Sequence, residues 1–298
     1  MDRRDWQCIE DGLVEPDWLK QKLEKEADVG QLAILDVRFD LQDPTWGRQQ
    51  YAEGHVPHAV YLALEYDLAA PKQQHGGRHP LPPVQRLAET FGKAGVGNQS
   101  AVVVYDQGSG EYAARAWWLL RWLGHPAVAL LDGGWAGWIA AGGTVSRAPV
   151  QPKIQPFVAH PQEGYWVDAA YVLHRPTDAI LIDARAPQRY RGEVEPIDAV
   201  AGHIPGALNF FWEENKRSDG CWKTPQQLQA RFAPILQAKE ILSYCGSGVT
   251  ACANLFALFR AGYHRGRLYP GSWSDWVSYP NLPRAVGPAP GSSVAFLQ

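Results

Sequence analysis

Short apolar, β-branched runs alternate along this chain with longer segments whose apolar residues recur at helical spacing. Val102–Tyr105, Val128–Leu131, Ile180–Ile182 and Ile241–Tyr244 are dominated by apolar residues, as strands buried on both faces of a parallel sheet must be. Ala113–Leu123 and Thr250–Arg260 predict helices. Gly124 and Gly262 are placed to end them, because glycine adopts the left-handed conformation past a helix terminus without steric cost. Strands joined by crossover helices make an α/β chain.

The pattern occurs twice. Ala33-Ile-Leu-Asp36-Val-Arg38 answers Ile180-Leu-Ile-Asp183-Ala-Arg185, and Gly54-His55-Val-Pro57 answers Gly202-His203-Ile-Pro205. Ala101-Val-Val-Val-Tyr105-Asp106 answers Ile241-Leu-Ser-Tyr244-Cys245, and Asp132-Gly-Gly-Trp135 answers Pro270-Gly-Ser-Trp273. Matches in the same order, at offsets between 138 and 148 residues, are a duplication. A first domain over 1–145, a proline-bearing linker over 146–161, a second domain over 162–282 and a loose tail over 283–298 are expected.

At 298 residues the chain can bury two cores, and 46% hydrophobic with 20% charged residues suits a globular protein. A net charge of −3, without a local Lys/Arg run, argues against nucleic acid as a partner. No apolar run reaches membrane-spanning length, and the start reads as no signal peptide, so no membrane association is expected. Cysteines at 8, 221, 245 and 252 fit neither a disulfide framework nor metal spacing. A reducing, cytoplasmic setting is expected, with no metal and no cofactor.

One cysteine has the surroundings of a nucleophile. Cys245 ends an apolar run and is followed by Gly246-Ser247-Gly248-Val249-Thr250, after which the helical pattern begins. Glycines let the backbone curl round the sulfur, and successive amides in such a curl form an anion-holding nest at the positive end of the helix. Both effects favour a thiolate. A buried structural cysteine would need no glycines there.

Cys245-Gly-Ser-Gly-Val-Thr-Ala resembles the active-site loop of the 3-mercaptopyruvate sulfurtransferases, a branch of the rhodanese superfamily. The Gly202-His-Ile-Pro-Gly-Ala207 signature and the duplication extend the likeness over almost the whole chain. The resemblance implies two tandem rhodanese-like domains, each a small parallel sheet flanked by helices. Asp106 stands at the cysteine position of the first and leaves that half silent, since a carboxylate carries no transferable sulfur. It further implies that Cys245 takes sulfane sulfur from a small-molecule donor, releases pyruvate, and passes the sulfur to cyanide, a small thiol or thioredoxin.

On the same resemblance, Gly246, Ser247, Gly248, Val249 and Thr250 stabilise the persulfide, and Arg189 matches the arginine that binds the donor carboxylate. Ser247 and His79 match the serine and histidine of a Ser–His–Asp relay; its acid falls at Glu65 instead of an aspartate, with Asp67 close enough to compete. The family's second substrate arginine is missing: Ile197 stands about where it belongs, in the shortened run Glu193-Val-Glu195-Pro-Ile197-Asp198, and Arg191 is the substitute the sequence offers. Arg185 reads as structural, pairing with Asp183 or a neighbouring acid at the strand end. His55 and His203 read as turn formers, because the silent half keeps one too.

Thiosulfate sulfurtransferase is the alternative, with the same fold and another donor. That branch has Arg-Lys where this loop has Gly246-Ser247, and a compact dianion wants such cations. A phosphatase needs a loop closing on arginine, and the sixth residue after Cys245 is Ala251. A purely binding module would be expected to lack the cysteine.

Overall fold

The fold was examined in a computed structural model that describes residues 7–25 and 30–291. The chain divides into two compact units. The first comprises residues up to Ala70, Leu81–Gln162 and Arg217–Trp222; the second takes Pro71–Pro80, Glu163–Lys216 and the chain from Lys223 on. A ten-residue strap from the first half of the sequence therefore belongs to the second unit.

The first unit holds a parallel sheet of β1 (Leu13–Val14), β2 (Leu32–Asp36), β3 (Val60–Tyr61), β4 (Ala101–Tyr105) and β5 (Val128–Leu131), in the order β1-β5-β4-β2-β3. The second holds β6 (Ile180–Asp183), β7 (Ala207–Asn209), β8 (Ile241–Tyr244) and β9 (Gly266–Leu268), all parallel, in the order β7-β6-β8-β9. A bridge between Trp166 and Leu268 stands where β1 pairs β5 in the other sheet. The central strands β4 and β8 are wholly buried, which explains their apolar character, and the one hydroxyl of β8 outside a tyrosine, Ser243, donates to the Ala251 carbonyl.

Repeated residues build the same frame in each unit. Asp36 and Arg38 form a buried bidentate pair whose guanidinium also donates to the Gly54 carbonyl at 2.7 Å. Asp183 and Arg185 repeat it, down to a 2.7 Å bond to the Gly202 carbonyl. Trp135 stacks on Arg38 at 4.6 Å and Trp273 on Arg185 at 4.9 Å. His55 and His203 each bond through Nδ1 to a tyrosine carbonyl and stack on that tyrosine's ring, which gives both a turn-forming role. Removing one partner of such a buried pair costs about 3–5 kcal/mol, because the other charge is left without compensation. That cost fixes where β2 and β6 end, and with them the adjoining loops.

The helix Glu111–Trp122 begins two residues earlier than its apolar pattern, and Thr250–Arg260 keeps the predicted bounds. Gly124 and Gly262, at φ +85° and +92°, follow their ends. The segment over 146–161 lies along the first unit, with Ser146 bridged to His55 and the Gln155 and His160 amides bonded to the Gly92 and Leu123 carbonyls. The expected loose tail is fixed as far as it is described. His203 and Ala285 exchange two backbone bonds, Pro283 accepts from the Trp276 indole, and the Pro290 carbonyl accepts from Gly206. The His203 and Gly206 amides and the Trp276 indole recruit these carbonyls, a pairing that composition does not reveal. Residues 292–298 of the expected tail lie outside the described residues. Among the described residues no helix is long and apolar enough to cross a membrane.

Candidate active site at the end of strand β8

In the second sheet the chain leaves β6 for β7 on one side and returns as β8 on the other, so a crevice opens at the carboxyl ends of β6 and β8. Cys245 is the first residue past β8 and is 2% exposed. Its Sγ accepts the Gly248 amide at 3.1 Å, its own amide donates to Ser272 Oγ at 3.0 Å, and its carbonyl accepts from Trp273 at 2.9 Å. Gly248 sits at φ +79°, and a Cβ there would lie 2.3 Å from the Pro270 carbonyl oxygen. Only glycine allows the curl that aims its N–H at the sulfur. The following helix is capped at Val249 by no side chain, and of its first turn the Cys252 amide donates to the Val249 carbonyl.

The first unit shows what this loop prefers to hold. The Asp106 carboxylate, 1% exposed, accepts from the amides of Gly108 at 2.9 Å, Gly110 at 2.8 and 3.0 Å, and Tyr112 and Ala113 at 3.2 Å. The nest is an anion site filled by its own side chain.

Ser247 and His79 are brought together. Ser247 Oγ and His79 Nδ1 are 2.9 Å apart, and both residues are buried. His79 is delivered by the strap over 71–80. There the Gly76 amide bonds Asp275 at 2.7 Å, the Arg78 amide bonds Ser274 at 3.1 Å, and His75 stacks on Tyr279. Gly77 packs so closely on the Gly271 carbonyl that a Cβ would meet its oxygen at 2.4 Å. Glu65 is half-buried in the first unit; Asp67, in the same turn, accepts the Ala63 amide at 2.7 Å.

Arg189 reaches the loop. Its two terminal nitrogens lie 3.5 and 3.6 Å from where a Gly246 Cβ would be. It is bonded to Glu195 at 2.7 and 3.2 Å and to Asp198 Oδ2 at 3.2 Å. Burial alone would raise Glu195, but the Arg189 bonds and the amides of Asp198 and Ile197 outweigh it and hold that carboxyl below its ordinary range. Arg191 does not turn inward: it makes a bidentate pair with Glu193 at 2.7 and 2.9 Å on the surface, and Ile197 is 42% exposed. Glu193, two residues on, satisfies that guanidinium locally.

The guanidinium that sequence reasoning missed is Arg78. Its Nη2 lies 2.8 Å from the Gly246 Cβ position, nearer than Arg189, and its Nη1 pairs with Asp198 Oδ1. Its chain neighbour His79 was the available signal. Ser272 was missed as well. Where the first unit has Gly134 at φ +56°, it holds a serine at the same strained φ, with Oγ on the Cys245 amide and 4.0 Å from Sγ. The other thiols stand apart: Cys252 is buried and donates to the Gly248 carbonyl, while burial pushes Cys8 and Cys221 up, away from the thiolate. Among the described residues no group of three His, Cys, Asp or Glu could hold a metal ion.

The rhodanese-like domain model matches residues 15–141 and again 168–279. A probable 3-mercaptopyruvate sulfurtransferase of Pseudomonas aeruginosa is 47% identical over 90% of this chain and 96% of its own length. A putative thiosulfate sulfurtransferase of Mycobacterium tuberculosis is 38% identical over 87% of this chain and 92% of its own. The crystal structure of SseA from Escherichia coli, described as a 3-mercaptopyruvate sulfotransferase with the rhodanese fold, superposes with a TM-score of 0.76 at 32% identity, covering 88% of this chain and 98% of that one. With two matched domains, a cysteine in the loop of the second and an aspartate in that of the first, the chain belongs to the rhodanese family.

Proposed function

We propose that this chain is a sulfurtransferase that moves sulfane sulfur from 3-mercaptopyruvate through a Cys245 persulfide to a thiol or cyanide, releasing pyruvate. The observation that carries the reading is the Cys245 sulfur held by the Gly248 amide in a loop free of charged side chains, with a guanidinium beside Gly246. The Cys245 thiolate attacks the donor's sulfur. An S–S bond forms, the C–S bond breaks, and its electron pair leaves on the enolate of pyruvate, which then takes a proton. Arg189 pairs with the donor carboxylate through its planar fork. Ser247, bonded to His79 and two residues from Cys245 in the same loop, supplies the enolate proton, and Glu65 is assigned as the relay's acid on the strength of the sequence likeness alone. In the second half-reaction the acceptor attacks the terminal sulfur and Cys245 leaves as thiolate. Cyanide would give thiocyanate; a small thiol or thioredoxin would carry the sulfur away as a persulfide.

Thiosulfate is the second reading, and one observation favours it: two guanidinia, of Arg78 and Arg189, stand beside Gly246 of the loop. Against it, Glu195 and Asp198 already balance those charges, which suits a monoanionic carboxylate better than a compact dianion. A cytoplasmic setting belongs to the same proposal, since it keeps Cys245 reduced.

The test is product formation from 3-mercaptopyruvate and from thiosulfate, each with cyanide, for wild type and Cys245→Ser. Preference for mercaptopyruvate, abolished by the substitution, is expected. Preference for thiosulfate transfers the assignment to the second reading, and activity surviving in Cys245→Ser refutes the mechanism.

A further inference from the structure

Beside the nucleophile loop, one carboxylate already bridges two arginines. Asp198 accepts from Arg78 Nη1 at Oδ1 and from Arg189 Nη2 at Oδ2, and both guanidinia border Gly246, the residue after Cys245. The strap that carries Arg78 is held by Asp275, Ser274 and Gly271, so its backbone arrives preplaced. Arg78 Nε is buried without a hydrogen-bond partner, leaving unused donor capacity. A cavity of about 370 Å³ opens alongside, lined by Arg78, Asp198, Ile197, Lys72, Ser274 and Val277.

The two acids of the cluster are held differently. Glu195 accepts from Arg185, Arg189 and the amides of Ile197 and Asp198, and it is fixed. Asp198 has its carboxylate on the two loop-facing guanidinia. Burial, with Glu195 nearby, raises its pKa despite both arginines, so its anionic form is the less well held of the two.

We propose that Arg78 and Arg189 form a two-guanidinium clamp for the donor's carboxylate, that Asp198 occupies the clamp at rest, and that the donor binds by taking the place of Asp198. Arg78 thereby supplies, from the other half of the sequence, the second cation that Ile197 does not. The clamp selects a planar α-keto carboxylate, whose two oxygens can span the guanidinia as those of Asp198 do. This rests on the mercaptopyruvate reading given above. Exchange has a signature that loss of structure lacks: removing the host and removing the resident act in opposite directions.

The experiment measures KM and kcat for 3-mercaptopyruvate in wild type, Arg78→Met, Arg78→Lys and Asp198→Asn, with pyruvate binding followed in parallel by titration calorimetry. Arg78→Met is expected to raise KM about ten-fold, the worth of one charge-assisted contact, with kcat changed by less than about three-fold. Arg78→Lys falls between, keeping the charge without the fork. Asp198→Asn, which keeps the shape and removes the competitor, lowers KM several-fold and tightens pyruvate binding. A rise of KM in Asp198→Asn overturns the exchange, and an unchanged KM with unchanged pyruvate affinity in Arg78→Met overturns the clamp. If wild type does not turn over 3-mercaptopyruvate, the mercaptopyruvate reading fails; the pyruvate titrations still decide the clamp.

Discussion

Gly248→Ala is the perturbation that asks most directly whether the loop is built for the sulfur. An alanine there keeps φ near +79°, and its Cβ would stand 2.3 Å from the Pro270 carbonyl oxygen and 3.0 Å from two more backbone atoms of Pro270. None of these can rotate away, so loop and Pro270 must separate by about 1 Å to reach ordinary contact. The left-handed backbone costs about 1–2 kcal/mol and the overpacking about 1–3 kcal/mol more, giving a loss of about 2–5 kcal/mol. The displaced atom includes the amide now 3.1 Å from Cys245 Sγ. A misplacement of that size lowers the sulfur-transfer step about 100-fold.

Gly262→Ala is the matched control, at φ +92° in the same unit with nothing within 4 Å of its Cβ. It should lose only the backbone cost and keep full activity. Urea unfolding and single-turnover pyruvate release, measured on both variants, separate conformation from collision. If Gly248→Ala is no less stable than Gly262→Ala and turns over at the wild-type rate, the loop has play that this geometry denies, and its amide is not what holds the sulfur.

Ser272→Gly restores the residue of the silent half and should relieve backbone strain while slowing sulfur uptake several-fold; a gain in stability with no kinetic effect would make the serine mere inheritance. Ser247→Ala and His79→Gln should be non-additive in kcat, since the 2.9 Å bond makes them one unit, and additive effects in the double variant would separate them. Burial, the first cause, pulls His125 below its ordinary value of 6.5 and outweighs the opposing bond from Nε2 to the Gly97 carbonyl, while Nδ1 accepts the Ala127 amide. The unfolded chain takes up a proton that the folded chain refuses. Stability therefore falls as pH drops below about 6.5, by at most about 1.4 kcal/mol per pH unit, and His125→Gln should flatten that limb of a urea-midpoint profile.

What was legible in the sequence followed from the length of the signal. β4, β5, β6 and β8 are dominated by apolar residues and are legible within a residue, whereas β1, β3, β7 and β9 are two or three residues long and leave no period to detect. The structural roles of Arg185, His55 and His203 were legible because the repeat displays each twice. Arg191 was misread because position in sequence does not say which acid a guanidinium will meet, and Glu193 lay nearest. Arg78 was hidden for the opposite reason: its partner Asp198 is 120 residues away. Ser272 carries no signal except comparison with Gly134, since a strained φ is invisible until the backbone is seen.

The duplication also supplies a view of a state that the second unit does not display. The oxygens of Asp106 stand two bonds beyond Cβ, and so would the terminal sulfur of a Cys245 persulfide. Both belong to anions at the same place in the same loop, five residues before a helix. In the first unit the outer oxygens are held by the amides of Gly108, Gly110, Tyr112 and Ala113, whose counterparts are Ser247, Val249, Ala251 and Cys252, the last of which already donates to the Val249 carbonyl. In the second unit Sγ, one bond nearer the backbone, takes the amide of Gly248. The two halves together divide the nest into an inner donor for the resting sulfur and outer donors for the transferred one. Loading Cys245 with sulfur should then move the amide NMR resonances of Val249 and Ala251 more than that of Gly248. Shifts confined to Gly246 would mean that the persulfide points out of the nest, and that Asp106 keeps the loop's shape without preserving its use.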